Sequence, residues 1–123
     1  MLKPLYTVPW LLLALLLWGC TPPVAQSYVV GGDADVGQQL ITDYGCGACH
    51  DIPGIPGANA TVGPPLDDWA ERGYIAGALP NRPGNLVAWL MNPQTIEPGT
   101  AMPDLSISEQ EALDISAYLY SLR

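Results

Sequence analysis

Val36, Leu40 and Tyr44 recur every four residues behind Asp33 and Asp35. Apolar groups at that interval share one face of a helix, and a short acid can accept from the free N–H groups at its start. A capped amphipathic helix closing at Gly45 is therefore predicted. A second helix is predicted near the far end, where Ser108 and Glu111 have capping-box spacing and Ala112, Ile115, Leu119 and Leu122 form one stripe. Between them, Asn85 to Asn92 carries Leu86, Trp89 and Leu90, with Asn85 as the expected cap and Pro93 as the stop. Gly37 lacks a side chain where another helix can cross closely, with Tyr118 expected against it. The Gly and Pro crowded between positions 45 and 103 predict loops elsewhere.

The first twenty residues follow a different pattern. A cationic start at Lys3 leads into an apolar run from Val8 to Trp18, broken by Pro9, and then Gly19 and Cys20. That is the layout of a secretory signal. Counted from Leu5 to Trp18, the run spans only ~21 Å as a helix, against a hydrocarbon core of ~30 Å. Leu17-Trp18-Gly19-Cys20 resembles a bacterial lipobox, in which the peptide is cut before a Cys that is then lipidated, although Trp18 stands where a small residue is usual. Residues 1–19 are therefore read as a lipoprotein-type signal or short anchor, and Cys20 as the lipidation site. Residues 20–33, with Pro22, Pro23, Gly31 and Gly32 and no apolar period, are read as a flexible tether, leaving 34–123 as one domain.

Composition adds two constraints. The chain has 123 residues with 13 Gly, 13 Pro and no Phe. A loop-rich domain of about 90 residues buries little apolar surface of its own, so a large covalent cofactor is expected to fill its centre. The formal net charge is -8, and loss of residues 1–19, whose charged side chain is Lys3, leaves -9. Such a surface excludes nucleic acid as a partner, while it serves solubility or docking to a basic partner surface.

Cys46-Gly47-Ala48-Cys49-His50 is C-x-x-C-H, the attachment sequence for c-type haem. Two thiols three positions apart on a helical turn can add to the two vinyl groups of one porphyrin edge, and the next residue then aims its imidazole at the iron. A zinc site would need a fourth ligand, yet the remaining Cys is Cys20 and there is no second His. A thioredoxin-like redox pair calls for a strand-helix-strand setting, and a structural disulfide is the third competing reading. With one His in the chain, bis-histidine ligation is impossible. The sixth ligand is then another side chain, a small molecule, or nothing, and thioether sulfur leaves Met91 or Met102. Met91 falls inside the predicted middle helix and reads as packing. Met102 lies in Pro98-Gly99-Thr100-Ala101-Met102-Pro103, where flanking prolines stiffen the loop and present the sulfur at small entropic cost, so Met102 is the expected ligand beside His50.

With these residues in place, the chain resembles the class I cytochrome c family over residues 34–123. Gly63-Pro64-Pro65-Leu66 looks like that family's G-P-x-L element, which implies that the Pro64 carbonyl accepts the His50 Nδ1 proton and that Leu66 lies on the ring. Arg72 to Leu105 is similar to the cytochrome c domain fused to subunit II of bacterial haem-copper oxidases, through its N-x-x-x-W-L-x-N-P-Q and P-G-x-x-M-P pieces. That likeness implies that Arg72 and Trp89 bind a haem propionate. The chain departs from it in having no second His or Cys cluster to build a copper domain, and its acidity departs from the Lys-rich surface of mitochondrial cytochrome c.

The resemblance implies an all-α, small cytochrome c fold of about four short helices and long loops around one covalently bound haem c. It also implies a non-enzymatic electron carrier, which the amino-terminal signal and lipobox-like Cys20 place on the periplasmic side of a bacterial membrane, held by its lipid anchor or amino-terminal segment. The expected acceptor is a haem-copper terminal oxidase or its subunit II, and the expected donor is a quinol-oxidising complex or another cytochrome. A fixed electron-relay subunit of a respiratory complex is the alternative, followed by a five-coordinate haem sensor or enzyme.

Overall fold

The computed structural model describes residues 28–123; the signal, Cys20 and the first part of the tether lie outside the described residues. Helix α1 (Ala34–Asp43) begins where the sequence predicts, because the Asp33 carboxylate accepts from the Asp35 and Val36 N–H groups at 2.9 and 3.2 Å. It closes at Tyr44, and Gly45 then takes φ 70°, a left-handed turn that glycine adopts without a Cβ clash. A 3₁₀ turn, Cys46–Ala48, follows directly. Helix α2 (Pro83–Met91) starts earlier than expected, with Arg82 at the cap position. Proline at the first helical position has its φ preset and needs no partner for a missing N–H, so no side-chain cap is required. Asn85 instead donates from Nδ2 to the Pro80 carbonyl at 2.8 Å. Helix α3 (Pro93–Ile96) is a single turn capped by Asn92, and α4 (Glu109–Leu119) is the longest helix described.

Helix α4 opens with the predicted capping box: Glu111 Oε2 accepts from the Ser108 N–H at 2.9 Å, and Ser108 Oγ from the Glu111 N–H at 3.4 Å. The Ser108 bonds, and a smaller one from Tyr44, hold the Glu111 carboxyl below its ordinary value. Ser108→Ala removes the side-chain acceptor and is expected to cost about 1 kcal/mol in urea denaturation, with an unchanged m-value.

Apart from a two-residue antiparallel ladder, β1 (Tyr74–Ile75) with β2 (Leu79–Pro80), and an isolated bridge between Asp51 and Asn59, the regular elements described are helical and joined by long loops. Helices α1 and α4 cross with their main chains almost touching, since a Cβ on Gly37 would lie 2.0 Å from the Asp114 carbonyl oxygen. The crossing partner is therefore the Asp114 backbone and not Tyr118, whose hydroxyl donates to the Pro53 carbonyl at 2.6 Å. The close approach also turns α1 so that Gly37 and Ile41 are buried while Val36 is 45% exposed. The Asp114 carboxylate seals the crossing: its Oδ1 accepts from the Asp33 N–H at 2.8 Å and from Gln110 Nε2 at 3.0 Å.

Packing extends upstream of α1 into the stretch that the sequence assigns to the tether. Val29 is 1% exposed, Gln110 Nε2 donates to the Gly31 carbonyl at 2.8 Å, and the Tyr28 and Tyr120 rings lie 5.1 Å apart. Leu86, Trp89 and Leu90 of α2 join Ala112, Ile115 and Leu119 of α4 in the core. No helix among the described residues is long and apolar enough to cross a membrane.

Candidate functional site

The turn after α1 delivers His50, whose N–H donates to the Cys46 carbonyl at 3.1 Å. Two bonds strap the following loop across it: Gly63 N–H to Cys49 O at 2.7 Å and Leu66 N–H to Asp51 O at 2.8 Å. The strap lays the Gly63 backbone on the imidazole so closely that a Cβ there would lie 2.4 Å from His50 Cε1. It also sets the Pro64 carbonyl 2.7 Å from His50 Nδ1. A carbonyl only accepts, so Nδ1 carries the proton and Nε2 is the nitrogen left to bind an electrophile. Cys46 and Cys49 are free and half-buried on the adjoining turn. Burial pushes the Cys46 thiol above its ordinary value, and the nearby Cys49 adds to this against an opposing backbone hydrogen bond.

His50, Pro64 and Leu66 form part of the wall of a cavity of about 330 Å³. Met102 reaches the same cavity from the loop after α3. Gln94, which the sequence reading passed over, shapes that loop: its Nε2 donates to the Thr100 and Met102 carbonyls at 2.8 and 3.2 Å, and its Oε1 accepts from the Gly99 N–H at 3.2 Å. Met91 does not line the cavity and is 36% exposed.

Arg72 and Trp89 both line the cavity. Arg72 Nη2 donates to the Pro65 carbonyl, to the Asp67 carbonyl at 3.0 Å and to Asp67 Oδ1 at 3.3 Å, with its guanidinium 5.4 Å above the Trp69 ring. Trp69 is a wall residue that the sequence reading missed, although its place three residues before Arg72 in a G-P-x-L loop was a usable signal. Its Nε1 is buried. Behind it, the Tyr120 hydroxyl donates to Asn81 Oδ1 at 2.6 Å, and Asn81 Nδ2 donates to the Trp69 carbonyl at 2.8 Å. Burial, reinforced by Tyr28, pushes the Tyr120 hydroxyl up to about 12, while the neighbouring Trp69 indole acts in the opposite direction.

A largely apolar cavity bearing one imidazole, a thioether and a guanidinium at its wall suits a flat apolar ring with a metal centre and an anionic edge. The two thiols beside His50 suit covalent attachment of that ring. The donor set and the motif fit haem c.

Residues 34–123 match the family described as Cytochrome c. The chain is similar to proteins named cytochrome c oxidase subunit 2: 38% identical over 93 residues to that of Alkalihalophilus pseudofirmus, covering 73% of this chain and 26% of the relative. It is 36% identical over 86 residues to that of Bacillus subtilis, covering 65% of this chain and 24% of the relative, and 31% identical over 89 residues to that of Bacillus sp. strain PS3, covering 69% and 25%. The chain thus spans about a quarter of the length of these curated relatives. The matched domain, the helical fold and the paired cysteines together place this chain in the cytochrome c family, whose haem c is covalently bound.

Proposed function

We propose that the chain is a membrane-associated, monohaem electron carrier that delivers single electrons to a haem-copper terminal oxidase in a respiratory chain. The observation that carries this reading is the convergence of His50 and Met102 on one cavity beside Cys46 and Cys49. In this reading Cys46 and Cys49 would hold the ring, His50 Nε2 and the Met102 sulfur would bind the iron, and Leu66 would pack on the ring. The bound haem supplies reversible one-electron chemistry. The chain's own residues keep the site rigid. The Pro64 carbonyl fixes the His50 proton on Nδ1, and a second-shell bond of this kind strengthens the imidazole as a donor. Gln94 and the two prolines hold the Met102 loop. Two protein ligands leave no open coordination position, which favours outer-sphere transfer over small-molecule catalysis.

The oxidase subunit 2 relatives support the acceptor, and the acidic domain supports a basic docking face on it. A lipid on Cys20 would keep the domain near the membrane surface and raise its local concentration at the oxidase. The reading is tested by mixing the reduced protein with a purified bacterial haem-copper oxidase and following haem oxidation in stopped flow. Oxidation that saturates with oxidase and slows as salt rises through the physiological range is expected. A reduced protein that the oxidase leaves reduced would overturn the proposed acceptor, and a flat or rising salt profile would overturn attraction to a basic face.

A further inference from the structure

Met102 lies in a stretch with little main-chain bonding of its own. Among the described residues, Ala101 to Leu105 make no main-chain hydrogen bond, and Pro98 to Thr100 make one, from the Thr100 N–H to the Glu97 carbonyl at 3.1 Å. Both polar backbone groups of Met102 end instead on side chains. Its N–H donates to Thr100 Oγ1 at 3.3 Å, and its carbonyl accepts from Gln94 Nε2 at 3.2 Å. Gln94 spends its whole amide on this loop, since Nε2 also donates to the Thr100 carbonyl at 2.8 Å while Oε1 accepts from the Gly99 N–H at 3.2 Å. The amide stands on a firm base, because the adjoining Pro93 is fully buried and Asn92 caps the single turn of α3. Gln94 itself is exposed, so water competes for each of these bonds and the grip can open without the core unfolding.

We propose that Gln94 is the latch of the sixth ligand: release of its amide is the step that lets Met102 leave the iron of the bound haem c and a small neutral base take its place. Gln94 is thus a positioning residue, acting through Met102. The opposite wall is not built to open, because main-chain bonds from the Gly63 and Leu66 N–H groups tie that loop to Cys49 and Asp51. An opened site also finds no substitute within the chain, whose sole His is His50 and whose sole Lys is Lys3. An external base therefore reports the opening directly. The inference rests on Met102 binding the iron.

The test uses the ferric, haem-loaded protein and imidazole. At saturating imidazole, the rate of ligand replacement in stopped flow becomes the rate at which the loop opens. Gln94→Ala is expected to raise that limiting rate about tenfold or more, since two donors of ordinary net strength are lost. Gln94→Glu keeps the side-chain size and the acceptor for Gly99, but a carboxylate has no N–H for the two carbonyls, so it is expected to open at least as fast. It also carries the test if Gln94→Ala does not accumulate. Ser108→Ala weakens the cap of α4 without touching these bonds and is expected to open at the wild-type rate. A limiting rate unchanged from wild type in the Gln94 variants overturns the latch. An equal rise in Ser108→Ala overturns it as well, because it marks general loosening. Wild-type ferric protein without the far-red methionine-to-iron charge-transfer band overturns the ligand assignment itself, which separates the two failures.

Discussion

Met102→Ala is expected to retain covalent haem but lose the low-spin, six-coordinate spectrum, with a potential lower by about 0.2 V or more, inside the ~0.8 V range that axial ligands cover. The size of the effect follows from the lack of a substitute: the sequence has one His, and the other described methionine, Met91, does not line the cavity. Met91→Ala is therefore expected to keep both spectrum and potential. Met102→His restores six-coordinate iron at a lower potential than wild type, because imidazole favours the ferric state more than thioether does. Optical spectra and redox titration of the three proteins decide the matter. Loss of the low-spin spectrum in Met91→Ala alone would reverse the ligand assignment.

The largest expected effect on folding comes from one methyl group. In an unobstructed helix, Gly→Ala gains roughly 1 kcal/mol from propensity. At Gly37 that gain is opposed by backbone atoms, since the new Cβ would lie 2.0 Å from the Asp114 oxygen and 2.9 Å from the Ile115 nitrogen. Main chain cannot rotate aside as a side chain does, so α1 and α4 must separate and loosen the bonds from Asp33 and Gln110 to Asp114. Gly37→Ala is expected to lose about 2 kcal/mol or more net of propensity. Gly84→Ala, in α2 with nothing within 4 Å of its Cβ, is expected to gain stability. Opposite signs for one substitution in two helices are the result to seek in thermal or urea unfolding; a stabilised Gly37→Ala protein would refute the close crossing.

What could be read from the sequence is what local chemistry decides. The Asp33 cap, the Gly45 turn and the Ser108–Glu111 box act within a few residues, so their spacing reveals them. The haem motif is local for the same reason. The start of α2 was misplaced because two local signals compete there: Asn85 is a good cap in isolation, but Pro83 begins the helix first and Asn85 turns back to Pro80. The Gly37 crossing could be anticipated, though not its partner, since Asp114 and Tyr118 lie one turn apart and only the packed geometry separates them. Trp69 was missed because its place in the cavity wall is set by packing, at which its position three residues before Arg72 only hints.

The tilted contact between the Tyr28 and Tyr120 rings brings the stretch before α1 beside the end of α4. Residue 28 and the last turn of α4 therefore lie at one edge of the described domain. A module whose entrance and exit coincide can be added to or removed from a longer polypeptide without stretching either part.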